Sequence, residues 1–145
     1  MITDYLRAVQ YHETDKMGVT HHSNYIKWME EARIDFLNQI GFGYAKLERD
    51  GIISPVIGVD CKYLRSTTFG DTVRIRPEVD TFSGVRLVIR YTMWKEGEEK
   101  PVLTGFSTHC FTTPDGRPVI LKKQFPAFAQ VLTQLAQATG GNHAQ

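Results

Sequence analysis

One run of the sequence, from about Ser23 to Ile40, has the period of an amphipathic α-helix. Its apolar side chains recur at three- and four-residue spacing and fall within one broad face, whereas the polar side chains gather on the other. The apolar positions are Tyr25, Trp28, Met29, Ala32, Phe36 and Ile40, and the polar ones are Lys27, Glu31, Asp35 and Asn38. Ser23 or Asn24 is predicted to cap the start, and Gly41 to end the helix. Because its apolar face is wide, this helix must be covered by other parts of the chain.

Most of the remaining chain has the pattern of β-strands. Alternating or β-rich runs separated by turn residues predict strands over about 5–11, 55–69, 72–82, 85–95 and 102–113. A linker from Phe42 to Ser54 precedes most of them, and a last amphipathic segment covers about 127–138. One early helix followed by strands with short turns is an α+β pattern. The simplest arrangement is a curved antiparallel β-sheet wrapped around one long central α-helix, formed by residues 1–138, with 139–145 as a flexible C-terminal tail.

The composition is that of a single globular domain and excludes some classes of function. The chain has 145 residues, of which 41% are hydrophobic and 23% charged. Its formal net charge of +1 argues against a nucleic-acid binder, which needs a strongly basic surface. No stretch approaches the ~18 apolar residues that span a bilayer, and the N-terminus lacks a signal-peptide pattern. Cys61 and Cys110 each lie in an apolar, strand-like run and are predicted to be reduced core residues of a cytoplasmic protein.

The stretch TDKMGVTHHSNY, residues 14–25, crowds ionisable and turn-forming residues immediately before the predicted helix. The first N–H groups of a helix lack internal partners and carry partial positive charge. A thioester or ester carbonyl docked there would therefore have its developing oxyanion stabilised. Asp15 could then act as the nucleophile, or as the base for an attacking water. Gly18 would permit a backbone conformation closed to other residues, or close approach of a ligand.

Spacing alone favours a structural role for these residues. An aspartate before a helix is most often a capping or turn residue, and His22 could be a surface histidine. Zinc is disfavoured because the side chains of His21 and His22 are expected to point apart, and no further residue stands at ligand spacing. The sequence has no serine nucleophile elbow, CxxC, P-loop or dinucleotide-binding glycine pattern. No metal or redox cofactor is therefore expected.

The longer stretch ETDKMGVTHHSNYIKWMEEAR resembles the signature of the 4-hydroxybenzoyl-CoA thioesterase family, and is most similar to its bacterial Tol-Pal-associated acyl-CoA thioesterase branch. The matching residues are Thr14, Asp15, Gly18, Val19, His22, Asn24, Tyr25, Glu30 and Arg33. The likeness continues more weakly through GDTVRIRPEV and GFSTHCFTTPDGRPVIL, so that it spans about residues 4–125.

The resemblance implies a hotdog fold, in which a sheet wraps around the long helix, and a homodimer joined edge to edge, often paired again into a homotetramer. It further implies an acyl-CoA thioesterase in which Asp15 is the catalytic carboxylate and His22 assists it or orients substrate. Backbone N–H groups at the helix start would polarise the thioester carbonyl. The positions implied for substrate and oxyanion contact are Gly18, Asn24, Tyr25 and Ile26. Thr20 and His21 depart from the family pattern and bear on which acyl group is bound.

Arginines on or beside the predicted strands are candidates for holding the phosphates of coenzyme A. The three candidates are Arg65, Arg86 and Arg90, although arginines that alternate along a strand usually form a solvated face. His109 is expected to be packed or exposed rather than catalytic. The predicted partners are an acyl-CoA substrate and further copies of the chain, with no nucleic acid and no integral membrane segment. Two alternatives stay open: a non-catalytic acyl-CoA-binding or regulatory hotdog protein, and a hotdog acyl-thioester dehydratase or hydratase with His22 as the base.

Overall fold

The computed structural model describes residues 2–143 and contains one antiparallel sheet of five strands. The strands are β1 (Tyr5–Ala8), β2 (Val56–Tyr63), β3 (Thr72–Phe82), β4 (Leu87–Lys95) and β5 (Pro101–His109). Their order across the sheet is β1-β3-β4-β5-β2, so that β1 and β2 are the edges. The helices are α1 (Ser23–Gln39), α2 (Tyr44–Arg49), α3 (Leu121–Gln124) and α4 (Pro126–His143). Within residues 2–143, none of these helices is long and apolar enough to cross a membrane.

α1 is the central element, and one face of the sheet covers it. Alternate residues of β4 are buried, as a period of two predicts, and these are Leu87, Ile89, Tyr91 and Met93. On the facing side of α1, Trp28 and Ala32 are fully buried, and Met29 and Phe36 are nearly so. The structure therefore confirms the predicted α+β class and the hotdog arrangement of a curved sheet around one long helix.

Several boundaries differ from those predicted. The first strand ends at Ala8, because Tyr11–Glu13 forms a turn of 3-10 helix instead. The predicted linker contains α2, whose single buried residue, Leu47, gives no period that a sequence pattern could reveal. The second strand stops at Tyr63, well before the predicted end. Gly41, with φ of +89°, does follow the end of α1 as predicted.

The last helix is longer than predicted. α4 continues to His143, past Ala138, where the amphipathic segment was expected to end. Thr139 is still buried, and a glycine inside a helix costs only about 1 kcal/mol, so the helix can continue. Residues 139–143 of the predicted tail thus form the end of this helix, residues 144–145 lie outside the described residues, and the flexibility of the tail stays a prediction.

Both cysteines are free thiols, as predicted, but neither is a core residue. Cys61 and Cys110 are each only partly buried. The reason is their position, because Cys61 lies on the edge strand β2 and Cys110 follows the last residue of β5.

The start of α1 is not capped in the way that the sequence predicts. The N-cap position is His22, which has helical backbone angles and no capping side-chain hydrogen bond. Ser23 donates its backbone N–H to His21 Nδ1 at 3.2 Å, so that a histidine ring accepts from the first turn. Asn24 donates from Nδ2 to the carbonyls of Glu13 and His21, at 3.0 and 3.2 Å. Asn24 therefore ties α1 to the preceding loop and does not cap it.

Glu13 joins this loop to both β1 and α1. Its side chain is only 4% exposed. The carboxylate accepts two hydrogen bonds from Arg7 at 3.0 and 2.9 Å, one from Trp28 Nε1 at 3.0 Å and one from the Gln10 N–H at 2.8 Å. Its backbone carbonyl also accepts the His21 N–H at 2.8 Å. One buried side chain thus sets the path of the loop into the helix.

Hydrogen bonding keeps this buried carboxylate ionised. Burial by itself raises the pKa of Glu13, but the hydrogen bonds from Gln10, Trp28 and Arg7 outweigh it and bring the pKa below its ordinary value. A carboxyl whose pKa is lower in the folded state stabilises the fold above its unfolded pKa, here about 4.3. That stabilisation is lost as the pH falls through the folded-state pKa.

Replacing Glu13 with Gln should lower the free energy of unfolding by about 1–3 kcal/mol at pH 7, because Arg7 and Trp28 lose a charged acceptor. The difference from wild type should shrink as the pH falls below about 4, since the wild-type carboxylate then becomes protonated. Denaturant unfolding of both proteins between pH 7 and pH 3, at one protein concentration, measures both effects.

Glu31→Gln is the matched control for this measurement. Glu31 also accepts from Arg7, at 2.9 Å, but it is 36% exposed, so its loss should cost less than about 1 kcal/mol. A difference between Glu13→Gln and wild type that stayed constant across the pH range would show that the ionised carboxylate is not the stabilising form.

Candidate active site

Asp15 lies at the first position of a tight turn in the loop before α1. The Gly18 N–H donates to the Asp15 carbonyl at 2.9 Å, and Gly18 has φ of +79°, a conformation that strains other residues. This confirms the conformational role predicted for Gly18. The Met17 N–H donates to Asp15 Oδ1 at 2.8 Å, which is the pattern of an Asx turn. One carboxylate oxygen is therefore bound to the turn, and the other has no hydrogen-bond partner among the residues whose side chains the structure describes.

A polar cleft of about 430 Å³ lies between this turn and the start of α1. Asp15 lines it together with His21, Asn24, Lys27 and Glu31, among others. Carboxylate, imidazole, amide and ammonium groups thus surround one space, which suits a polar and hydrated part of a ligand.

A second cleft, of about 260 Å³, lies beside the same helix end and has an aromatic lining. It is lined by Thr20, His22, Tyr25, Tyr63, Leu64, Arg65 and Ser66. The centroid of the Tyr63 ring lies 5.6 Å from that of Tyr25 and 6.1 Å from that of His22. The structure therefore brings three predicted site residues together, His22, Tyr25 and Arg65.

Asp15 and His22 line different clefts of the single chain and share no hydrogen bond. The rings of His21 and His22 stack with their centroids 4.3 Å apart, so the prediction that they point apart is wrong. His21 Nδ1 accepts the Ser23 N–H and lies 2.8 Å from Ser23 Oγ, which holds its ring over the helix start. Because His21 lines one cleft and His22 the other, this stack connects the two clefts.

The backbone N–H groups at the start of α1 already have local acceptors. Ser23 donates to His21 Nδ1, Asn24 to the His21 carbonyl at 3.0 Å, and Tyr25 to the His22 carbonyl at 3.3 Å. The Tyr25 bond is long for an N–H···O contact and is therefore the weakest of the three. A carbonyl bound here would have to replace one of these acceptors.

The Tyr25 side chain is part of a buried chain of hydroxyl groups. Its hydroxyl lies 2.9 Å from Thr67 Oγ1, which lies 2.6 Å from Thr20 Oγ1. All three residues are buried. Thr20 stands where the family pattern has an aliphatic residue, and its hydroxyl gives the buried Thr67 hydroxyl a hydrogen-bond partner.

Arg86 lies outside both clefts of the chain, unlike Arg65. In the sheet, Leu103 pairs with both Tyr63 and Met93, so Tyr63 lies near the end of β4 that carries Met93. Arg86 precedes the other end of β4. Within one chain the sheet register therefore separates Arg86 from the aromatic cleft and from Arg65, and the phosphate role of Arg86 stays a prediction.

Arg90 and His109 have structural partners away from both clefts. Arg90 donates to Glu78 on the neighbouring strand at 3.0 Å. His109 is fully buried, and its Nε2 lies 2.7 Å from Ser107 Oγ, which in turn lies 2.7 Å from the Tyr91 hydroxyl. Burial lowers the pKa of His109 to about 4 and raises the pKa of Tyr91 to about 12. His109 is thus packed, which is one of the two positions expected for it, and the phosphate role predicted for Arg90 stays a prediction.

Glu13, His21 and Tyr63 shape the site but were not among the predicted site residues. The indole N–H of Trp28 on the buried helix face requires an acceptor, but nothing in the sequence identifies Glu13 as that acceptor. No local signal marks Tyr63, since its position beside α1 depends on pairing between distant strands.

Comparison with known proteins relates the whole chain to thioesterases. The family model described as "Thioesterase superfamily" matches residues 17–102, a stretch that begins just after Asp15. The solved structure of a DHNA-CoA thioesterase from Staphylococcus aureus superposes with a TM-score of 0.87 at 32% identity, covering 97% of this chain and 94% of that one.

Two curated relatives, both named for the hydrolysis of CoA thioesters, are also similar to this chain. YneP of Bacillus subtilis, provisionally named an acyl-CoA thioesterase, is 30% identical over 81% of this chain and 86% of its own. A 1,4-dihydroxy-2-naphthoyl-CoA hydrolase of Thermosynechococcus vestitus is 25% identical over 88% of each chain. With the matching family model and a sheet wrapped around α1, these likenesses establish that the chain belongs to the thioesterase superfamily and has its hotdog fold.

Proposed function

We propose that the protein hydrolyses an acyl- or aroyl-CoA thioester to a carboxylic acid and free CoA, with Asp15 as the nucleophile or general base. The observation that carries this proposal is the Asp15 turn. The Met17 N–H orients the carboxylate, and among the side chains that the structure describes its second oxygen has no partner beside the start of α1. The names of the relatives support a CoA thioester as the substrate.

Both roles of Asp15 lead to the same products. As a base, Asp15 takes a proton from the water that attacks the thioester carbon. As a nucleophile, it attacks that carbon and forms a mixed anhydride, which water then hydrolyses. In either case the carbon–sulfur bond breaks, the water oxygen enters the acid, and the CoA thiolate leaves and takes up a proton.

The thioester carbonyl is proposed to lie at the start of α1. The N–H groups of Tyr25 and Ile26 are the proposed donors. The Tyr25 N–H is the easier one to redirect to a substrate, because its hydrogen bond to the His22 carbonyl is long. A developing oxyanion there would also be favoured by the helix dipole. Asn24 contributes indirectly, since its amide is engaged with the preceding loop. The exposed Gly18 lets the substrate approach the backbone of the Asp15 turn.

The acyl group is proposed to enter the aromatic cleft. The rings of His22, Tyr25 and Tyr63 suit a flat apolar acyl group, since aromatic groups pack in stacked or edge-to-face pairs. The relatives named for 1,4-dihydroxy-2-naphthoyl-CoA support an aromatic acyl group in particular. Arg65 also lines this cleft, but the acyl group and the phosphates lie at opposite ends of an acyl-CoA. Arg65 would therefore hold a phosphate only of a CoA whose acyl group lies elsewhere, and its phosphate role stays a prediction.

The open edge of the sheet supports a homodimer, and two such dimers would pair to form a homotetramer. Within residues 2–143, β2 has no neighbouring strand on one side, and its residues Val56, Ile57, Val59 and Tyr63 are each more than 40% exposed. Such an edge favours pairing with another chain. The aromatic cleft contains Tyr63 of this edge, so pairing would place the site at the subunit boundary. A cytoplasmic location stays a prediction, with which the free thiols are consistent. Membership of the Tol-Pal-associated branch also stays a prediction.

Asp15→Asn should lower turnover of an acyl-CoA panel by about 10²–10⁴-fold, because it removes the anion that acts as base or nucleophile. The Asn side chain can still accept from the Met17 N–H, so the melting temperature should hardly change. Free-thiol release with aromatic and aliphatic acyl-CoAs measures turnover, and Asp50→Asn, an exposed carboxylate after α2, is the control.

Enoyl-CoA hydration followed in parallel separates the alternatives. Hydration without thiol release, abolished by His22→Ala, would support a hydratase. Tight acyl-CoA binding without either reaction would support a binding protein. Near-full thioesterase activity of a folded Asp15→Asn variant would contradict the proposed role of Asp15.

The protein should be a dimer or tetramer in solution, because a monomer would leave the apolar edge of β2 in water. Multi-angle light scattering over a range of concentrations measures the mass. A stable monomer that retained full thioesterase activity would contradict the proposed assembly.

A further inference from the structure

The ring of His21 is held in place at the start of α1, although it is exposed. Its Nδ1 accepts the Ser23 N–H at 3.2 Å and lies 2.8 Å from Ser23 Oγ. The ring also stacks on that of His22, with the centroids 4.3 Å apart and the planes at 29° to each other. These three contacts give an exposed side chain a defined position beside the first turn of the helix.

The contact with Ser23 determines where the proton of the His21 ring lies. A backbone N–H can only donate, so Nδ1 must be the acceptor and the proton of the neutral ring must lie on Nε2. The Ser23 hydroxyl then donates to the same nitrogen. In a protonated imidazole both nitrogens donate, and the Ser23 N–H would lose its acceptor. His21 therefore holds the first N–H of α1 only while its ring is neutral.

The surroundings of His21 contain charges of both signs. The start of α1 carries partial positive charge, which disfavours a cation beside it. The stacked His22 does the same when it is protonated, since like charges oppose each other. β1, the 3-10 turn, the Asp15 loop and α1 add further titratable or charged groups through the polar cleft, and these are Arg7, His12, Glu13, Asp15, Lys27 and Glu31. β2 adds Tyr63, whose ring faces His22. These groups set the pH at which His21 titrates, whereas the Ser23 contact determines what the titration changes.

The backbone of His21 is anchored independently of its ring. Its N–H donates to the Glu13 carbonyl at 2.8 Å. Its carbonyl accepts the Asn24 N–H at 3.0 Å and the Asn24 side-chain amide at 3.2 Å. A substitution of the side chain leaves all three of these hydrogen bonds in place. The ring can therefore be changed while the loop keeps its path into the helix.

We propose that His21 is a positioning residue that holds the first turn of α1 and the ring of His22 in the geometry that the reaction requires. This proposal rests on the hydrolysis proposed above and adds a residue to it. The acceptor at Nδ1 holds the turn that carries the proposed oxyanion donors, the N–H groups of Tyr25 and Ile26. The stack holds the imidazole of His22 at the aromatic cleft. His21 thus acts through its neighbours and not on the reacting atoms.

Histidine makes both contacts at once, and two other residue types each make one of them. An asparagine side chain accepts an N–H two residues ahead, as Asp15 does from Met17, but it has no ring to stack. A phenylalanine has a ring but no acceptor. Two substitutions of the same residue therefore separate the acceptor from the stack.

The variants His21→Phe and His21→Asn test the proposal as a matched pair. His21→Phe keeps the stack and loses the acceptor, and it should lower kcat by about 10–100-fold with little change in KM, because small displacements of reacting groups have effects of this size. His21→Asn keeps the acceptor, and its kcat should exceed that of His21→Phe by about tenfold. Free-thiol release from acyl-CoAs gives both constants, and melting temperatures check that the variants are folded.

The pH profile separates this role from a merely structural one. The wild-type kcat should fall on the acid side as His21 becomes protonated, whereas His21→Asn has no proton to gain there and should keep its kcat to a lower pH. Nitrogen NMR of the histidine rings should show the proton of neutral His21 on Nε2. The Ser23 amide signal should shift with the same midpoint as the His21 ring, and the acid side of the wild-type profile should share that midpoint.

Each outcome separates the role of His21 from the proposed hydrolysis. In a protein that releases thiol, a wild-type kcat for His21→Phe would overturn the positioning role, as would an asparagine variant no more active than the phenylalanine one. Identical acid sides for wild type and His21→Asn, or a proton on Nδ1 of the neutral ring, would overturn it as well. A wild-type protein that releases no thiol from any acyl-CoA would overturn the hydrolysis itself and the positioning role with it.

Discussion

Glu13 is the residue on which the geometry of the site depends. Its buried carboxylate binds Arg7 on β1 and Trp28 on α1, while its carbonyl holds the backbone of His21. A buried charge that loses such partners destabilises a protein by several kcal/mol, so these contacts form together or the loop takes another path. Asp15 follows Glu13 by two positions and lines the same polar cleft, so the contacts of Glu13 also hold Asp15 beside the helix start.

The elements that could be predicted from the sequence are those with a local period. α1 and β3 lie almost where the three- to four-residue and two-residue patterns place them, because burial of one face imposes those periods. The position of Asp15 in a turn next to a helix start follows from composition for the same local reason. α2 and the extension of α4 were missed, since one is too short for a period and the other continues through glycines.

The site itself could be predicted only in part, because much of it depends on contacts distant in sequence. The cap of α1 is formed by the His21 ring, which competes successfully with the residue types that usually cap. Tyr63 reaches His22 through strand pairing, and the same pairing places Arg86 of the same chain at the far end of β4. The sequence places the polar residues of 14–25 in one loop, but it does not show that the folded loop divides them between two clefts.

The division into two clefts gives the proposed reaction its layout. A thioester lying across the start of α1 would have its carbonyl at the helix end, its attacking carboxylate in the polar cleft and its acyl group among the aromatic rings. The measurement that tests this most directly is a crystal structure with a CoA analogue whose acyl ketone is joined through a stable thioether. The ketone carbon is expected within about 4 Å of the Asp15 carboxylate, near attack distance, and the acyl group is expected to lie against Tyr63. An analogue bound with its ketone in a third cleft, which is lined by Phe36, Val79 and Leu135 among others, would contradict this layout.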